Sequence, residues 1–179
     1  MINQAKKHSV AIIGCGPAGL MAAEVLKDSG VNVNMYDSKP SAGRKFLVAG
    51  KGGLNITHSE PFDRLLERYG PRSSNLKPFL ETFGPDQLRS WLQDLGYETF
   101  VGSSGKVFPT DMKAAPILRT WLMRLKDNGV SFHFNHKWAG WTTENCLQFE
   151  TKTGNITSKF DAAIFALGGI SWPKLGSDG

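Results

Sequence analysis

The chain has 179 residues, 40% of them apolar and 21% charged, which is enough for one domain with a real core and excludes a disordered chain. Lys and Arg number 21 against 16 Asp and Glu, a formal charge of +5 that mildly favours an anionic ligand, while the absence of a dense basic run interleaved with aromatics argues against nucleic acid. Cys15 and Cys146 form no Cys-x-x-Cys or Cys/His cluster, so neither a redox pair nor a zinc site is expected, and the first apolar run breaks at Gly14, too short for a signal-peptide core or a membrane span.

In chain order, Val10 to Ile13 reads as a buried parallel strand ending in glycines. Pro17 suits a first helical position, Ala18 to Lys27 are mostly good helix formers, and Gly30 can close the helix in the left-handed conformation. Val31, Val33 and Met35 alternate with polar neighbours up to Asp37, which predicts a second strand and completes a βαβ unit. From Ser38 to Ser59 a stretch rich in Gly, Lys and Ser predicts a long ordered loop with one helical turn, and loops of this length tend to be functional.

Pro85 opens a helix in which Leu88, Trp91, Leu92 and Leu95 form one stripe before Gly96. Tyr97 to Val101 and Lys106 to Phe108 read as short strands flanking a turn. Ala114 to Lys126 repeats apolar residues at three- and four-residue steps and ends at Asn128-Gly129. Val130 to Phe134 predicts a strand, Lys137 to Lys159 a small antiparallel meander, and Asp161 to Leu167 a buried strand stopped by Gly168-Gly169. The fold class that follows is α/β, with a central parallel sheet, a helical segment and the meander.

Gly14-Cys15-Gly16-Pro17-Ala18-Gly19 satisfies G-x-G-x-x-G directly after a strand and at the start of a helix. Gly14 permits the tight turn, Gly16 lets a pyrophosphate approach the backbone, and Gly19 allows close packing. The helix amino terminus supplies unpaired N–H groups and partial positive charge. Asp37, about 20 residues on, can accept hydrogen bonds from an adenosine ribose and disfavours a 2′-phosphate.

This fingerprint alone does not separate FAD from NAD. Gly43-Arg44-Lys45 puts two cations after the second strand, where Arg can grip phosphate oxygens in a bidentate way. Gly50-Lys51-Gly52-Gly53 is not a P-loop, since Gly52 rather than Ser or Thr follows the lysine. A glycine-rich backbone close to a flat ring suits it better, with Asn55 offering both donor and acceptor. His8, His58, His133 and His136 show no catalytic or metal-ligating spacing and are expected at the surface or at strand ends. Trp91 and Trp121 lie on helical stripes and are expected in the core, while Trp172 is a candidate for the pocket wall. No catalytic acid–base pair can be named.

Together these residues resemble the BaiN-like (YhiN-type) bacterial NAD(P)/FAD-dependent oxidoreductases. The resemblance runs through Ile12 to Ala23, Gly43 to Lys45, the Gly50 to Thr57 loop, Val107-Phe108-Pro109, Ala166 to Gly169, Ser171-Trp172-Pro173 and Gly176-Ser177. It implies a Rossmann-like FAD domain, with Gly14, Gly16, Pro17, Ala18, Gly19 and Asp37 on the ADP half and Arg44 and Lys45 near the pyrophosphate. It further implies Gly50, Gly52, Gly53 and Asn55 near the flavin, the backbone around Lys137-Trp138 beside the adenine, and Ala166 to Gly168 under the cofactor.

Three positions depart from the family pattern: the glycine loop lacks the usual Arg and Cys, Asp37 replaces Glu, and Leu167 replaces Thr. The family's chains are more than twice as long, so residues 1–179 are expected to be the amino-terminal part of an FAD-binding domain, without a substrate domain or a carboxy-terminal FAD segment. The expected function is hydride transfer from NAD(P)H through FAD to a small organic substrate, in a soluble cytoplasmic protein that binds neither nucleic acid nor membrane. Two rivals stand beside it: an NAD-binding dehydrogenase half-domain, and a truncated nucleotide-binding remnant without turnover.

Overall fold

A computed structural model describes residues 7–169, so Trp172 and the Ser171 to Ser177 motifs lie outside the described residues. The elements run in chain order from β1 (Ser9–Ile13), α1 (Pro17–Leu26), β2 (Asn32–Asp37), α2 (Arg44–Ala49) and β3 (Thr57–His58) to α3 (Phe62–Glu67). After a 3-10 turn at Gly70–Arg72 come α4 (Ser73–Thr82), α5 (Pro85–Asp94), β4 (Thr99–Val101), β5 (Lys106–Pro109) and α6 (Ala114–Asp127). The chain closes with β6 (Ser131–Phe134), β7 (Lys137–Trp141), β8 (Leu147–Thr151), β9 (Gly154–Ser158) and β10 (Ala162–Phe165).

Two compact units emerge, one from the residues up to Phe46 together with those from Leu122 onward, the other from Leu47 to Trp121. The first is built on a four-stranded sheet of order β10-β1-β2-β6 in which every pairing is parallel. Ala11 and Ile13 point to one face, where they pack in a buried cluster with Tyr36, Leu147 and Phe149, so the antiparallel meander β7-β8-β9 covers that side. The alternate positions Val10, Ile12, Val33 and Met35 are buried too, as are Leu20 and Ala23 of α1, which packs on β1 and β2. Strands buried on both faces need helices or a second sheet on each side, which explains their unbroken apolar character. Arg124 of α6 pairs with Glu24 of α1 at 2.6 Å.

In the second unit β5 pairs antiparallel with both β3 and β4. Trp121 is buried and Trp91 meets it edge-on, ring centroids 4.7 Å apart, with Leu92, Leu95, Val107, Ile117 and Leu118 also buried. The predicted loop from Ser38 to Ser59 in fact contains the six residues of α2 and the short strand β3, and α3 and α4 precede the helix predicted at Pro85. The strand predicted as buried at Asp161 to Leu167 is an exposed one. In β10 Ile164 and Phe165 are exposed, because its place at the end of the sheet leaves one side without a neighbour among the described residues. Among the described residues no helix is long and apolar enough to cross a membrane.

Candidate functional site

The order β10-β1-β2-β6 reverses at β1: β2 and β6 lie to one side and β10 to the other. In open parallel sheets ligands bind at such a reversal, beyond the carboxyl ends of the strands. A cleft of about 540 Å³ opens there, walled by the turn after β1, the end of β2, the segment up to Lys45, the start of β7 and the stretch after β10.

The turn is held by backbone. Gly14 N–H donates to the Tyr36 carbonyl at 2.7 Å, and Ala166 N–H donates to that of Ile13 at 2.8 Å. Gly14 has φ of 107°, and a Cβ on it would stand 2.3 Å from the Ala166 carbonyl oxygen. A Cβ on Gly19 would fall 1.9 Å from the Gly14 oxygen, so Gly19 packs behind the turn and does not line the cleft. Gly16 differs. It lies at φ −78°, caps α1 without any side-chain hydrogen bond, and an added Cβ would meet nothing within 4 Å.

Asp37 joins the turn to the following segment: Oδ2 accepts from Cys15 N–H and Oδ1 from Lys39 N–H, each at 2.8 Å. Each oxygen keeps acceptor capacity for a further donor. Gly43 N–H donates to the Cys15 carbonyl at 2.8 Å, tying Arg44 and Lys45 to the same turn. The buried Nε of Arg44 has no hydrogen-bond partner among the described residues. Burial, with the Asp37 charge close by, pushes the Cys15 thiol far above its ordinary value, so it stays protonated and unreactive.

Of the sequence-predicted site residues, Gly14, Gly16, Pro17, Ala18, Asp37, Arg44, Lys45, Trp138, Ala166 and Gly168 come together in the cleft. Gly50, Gly52, Gly53 and Asn55 belong to the second unit and do not line it. There Gly50 and Gly53 answer packing needs, since a Cβ would meet Ala114 Cβ at 2.5 Å and Met112 Cε at 2.7 Å respectively. Both amide hydrogens of Asn55 are committed, its Nδ2 donating to Thr57 O at 2.8 Å and Val107 O at 3.1 Å, which leaves only the side-chain oxygen.

Lys137, named with Trp138 by the resemblance, also lines the cleft, whereas sequence reasoning missed Tyr36, Ser38, Lys39, Ser41 and His136. No motif marks them, although Ser38 and Lys39 directly follow the predicted acid. His136 arrives through strand pairing: β6 lies beside β2, and His136 N–H donates to the Asp37 carbonyl at 2.9 Å. Lys137 is partly neutralised by Glu150 at 3.0 Å. Among the described residues no group of three or more His, Cys, Asp or Glu could hold a metal ion.

A parallel sheet entered through a glycine turn and a helix, with its ligand-sized cleft at the sheet's reversal, defines a Rossmann-type domain. The chain belongs to the HI0933-like protein Rossmann domain family, whose profile matches residues 8–179. In structure it resembles the 3-ketosteroid-delta4-(5alpha)-dehydrogenase of Rhodococcus jostii RHA1, with a TM-score of 0.67 at 11% identity over 96% of this chain and 48% of that one. A flavocytochrome c3 fumarate reductase gives a TM-score of 0.56 at 17% identity, over 97% of this chain and 36% of that one. In sequence, thiamine thiazole synthase of Methanosarcina acetivorans is 38% identical over 63 residues, 35% of this chain and 24% of the synthase. The chain thus spans about a quarter of that synthase and less than half of either solved chain.

Proposed function

We propose that this chain is the nucleotide-binding part of a flavin-dependent oxidoreductase and that its cleft holds FAD by the ADP end. The observation that carries this reading is Gly16. Neither its backbone angle nor any neighbour among the described residues calls for glycine, so the reason for leaving out a side chain lies in something that approaches the backbone from outside. The helix amino terminus behind it favours an anion, and the pyrophosphate of a dinucleotide fits that demand.

The residues present suit that ligand. Gly16, Ala18 and the α1 terminus face the pyrophosphate, Arg44 and Lys45 offset its charge, and Asp37 receives the ribose hydroxyls with the acceptor capacity its two backbone bonds leave. Gly43 holds the cation pair in register with the glycine turn through its bond to Cys15. FAD rather than NAD is supported by Arg44 and Lys45, by the resemblance to the BaiN-like (YhiN-type) flavoproteins, and by the flavoprotein among the structural neighbours. When bound, FAD supplies two-electron redox chemistry. On this reading NAD(P)H is the electron donor, a small organic molecule the acceptor, and the protein is soluble and cytoplasmic.

The test is direct. The purified chain is expected to carry, or to take up on reconstitution, a chromophore with the visible bands of flavin, released as FAD on denaturation. A colourless protein that binds NAD but not FAD overturns the assignment in favour of a dehydrogenase half-domain. Gly16→Val is expected to abolish FAD binding with its far-ultraviolet circular dichroism retained, because the added branches occupy the approach to the turn. Anaerobic addition of NADPH to the loaded chain then separates a working oxidoreductase, whose flavin bleaches, from a binding remnant.

A further inference from the structure

We propose that the second unit carries a binding site of its own, for a small aromatic carboxylate. A cavity of about 390 Å³ is lined entirely by residues of that unit, a volume in the range that holds small-molecule ligands. Ile56, Leu65, Leu80 and Leu88 give it apolar wall. Tyr69, just before the 3-10 turn, and Phe83, capping α4, line it too and stay 42% and 39% exposed, so two aromatic rings leave apolar surface uncovered there. Rings of that kind offer a flat apolar ligand a large contact area at little cost in side-chain freedom.

The charged groups of the lining decide the sign of the ligand. Glu60 and Arg68 satisfy each other through a two-point fork, Nε lying 2.5 Å from Oε1 and Nη2 donating to Oε2 at 2.9 Å. The bond from Arg68 holds the Glu60 carboxyl below its ordinary range, so the carboxylate is ionised and already matched. His58 is occupied as well: Nδ1 accepts from the Glu60 N–H and Nε2 donates to the Ser104 carbonyl, each at 3.1 Å, which the neutral ring accomplishes with both nitrogens. Lys106 stands apart, because its ammonium has no ion-pair or hydrogen-bond partner among the described residues. Antiparallel pairing of β3 with β5 sets Lys106 directly opposite His58, which puts both side chains on one face of that sheet, and both line the cavity. One unmatched cation, together with the Thr57 and Tyr69 hydroxyls as further donors, suits a ligand with a single negative charge. A cationic ligand would find no carboxylate in the lining that is not already paired.

Nuclear magnetic resonance titration of the full chain with hydrocinnamate, its amide and the corresponding primary amine tests this, since the three share one ring and one chain and differ in charge. Saturable shifts are expected at the methyl groups of Leu65, Leu80 and Leu88. Hydrocinnamate is expected to bind about two- to fivefold more tightly than the amide, the advantage of a solvent-exposed ion pair, and the amine is expected to bind most weakly. The preference should shrink as ionic strength rises. In Lys106→Met, which keeps the apolar stem, acid and amide are expected to converge at the affinity of the amide, while Lys106→Arg is expected to keep the preference.

Shifts that do not saturate, or that spare the three leucines, overturn the site, and the unmodified chain alone gives that answer. An amine that binds as tightly as the acid overturns the assignment of charge. So does an acid-to-amide ratio that survives in Lys106→Met. The FAD reading is judged separately by the flavin spectrum, so a failure of one is distinguishable from a failure of the other.

Discussion

A Cβ at Gly14 or Gly19 collides with backbone oxygen at 2.3 or 1.9 Å, whereas one at Gly16 enters open space. Three glycines of one motif therefore answer to different constraints: two to the chain and one to what the chain binds. Gly14→Ala is expected to destabilise the fold by at least about 1–3 kcal/mol, since it combines overpacking with a left-handed backbone, and urea denaturation would show it. Gly16→Val should move the same midpoint by no more than about 1 kcal/mol, the range of a changed helix cap. Equal losses in the two variants would remove the case for a ligand at Gly16.

His133 supplies a pH dependence. Its ring stacks on Tyr36 at 4.5 Å, and burial first, then the neighbouring His136, hold its pKa below the ordinary 6.5. The unfolded chain therefore takes up a proton that the folded chain refuses as the pH falls below 6.5. The stability this residue contributes is complete above that pH and is lost downward toward the lowered folded value. Urea midpoints measured from pH about 7 down to about 5 are expected to decline, and His133→Phe is expected to flatten that decline. An unchanged slope in the variant would mean that other groups set the acid sensitivity.

At the scale of elements, α1 shows how unevenly one helix carries stability. Leu20 is fully buried and Val25 is 74% exposed. Leu20→Ala is expected to cost about 2–5 kcal/mol through the cavity it leaves, while Val25→Ala should stay within about 0.5 kcal/mol, and thermal denaturation of the pair would check both. The same burial contrast explains which elements were legible in the sequence. α5 and α6 carry continuous apolar stripes with glycine stops, and both form where predicted. α3 and α4 bury no residue completely, and α4 contains Pro78, so periodicity offered little to find. The exposed edge position of β10 was hidden for a different reason: an apolar run reads the same whether its strand lies inside a sheet or at its margin.

Across the whole molecule, the residues proposed to hold ADP all belong to the first unit. ADP is expected to slow amide exchange at Cys15 to Gly19, Lys39 to Lys45 and His136 to Trp138, and to leave Gly50 to Asn55 unchanged. FAD is expected to protect the first set as well, and protection reaching Gly50 to Asn55 with FAD alone would identify that loop as the flavin side of the site. Exchange unaffected by either nucleotide would count against the cleft. Saturating ADP at a hundred times its dissociation constant should add about 2.7 kcal/mol of stability, read as a higher unfolding midpoint.

What the sequence determined by itself is local: the glycine turn with its strand and helix, Asp37 at the end of β2, and the striped helices. Each depends on residues a few positions apart, where backbone sterics and helical periodicity act directly. Tertiary structure decided the rest. Pairing of β6 with β2 brought His136 to the cleft, two backbone N–H groups met the Asp37 carboxylate, and Thr57 and Val107 took both amide hydrogens of Asn55. Those partners are joined only by the register of the sheets and by loop closure, and no local pattern of side chains encodes either.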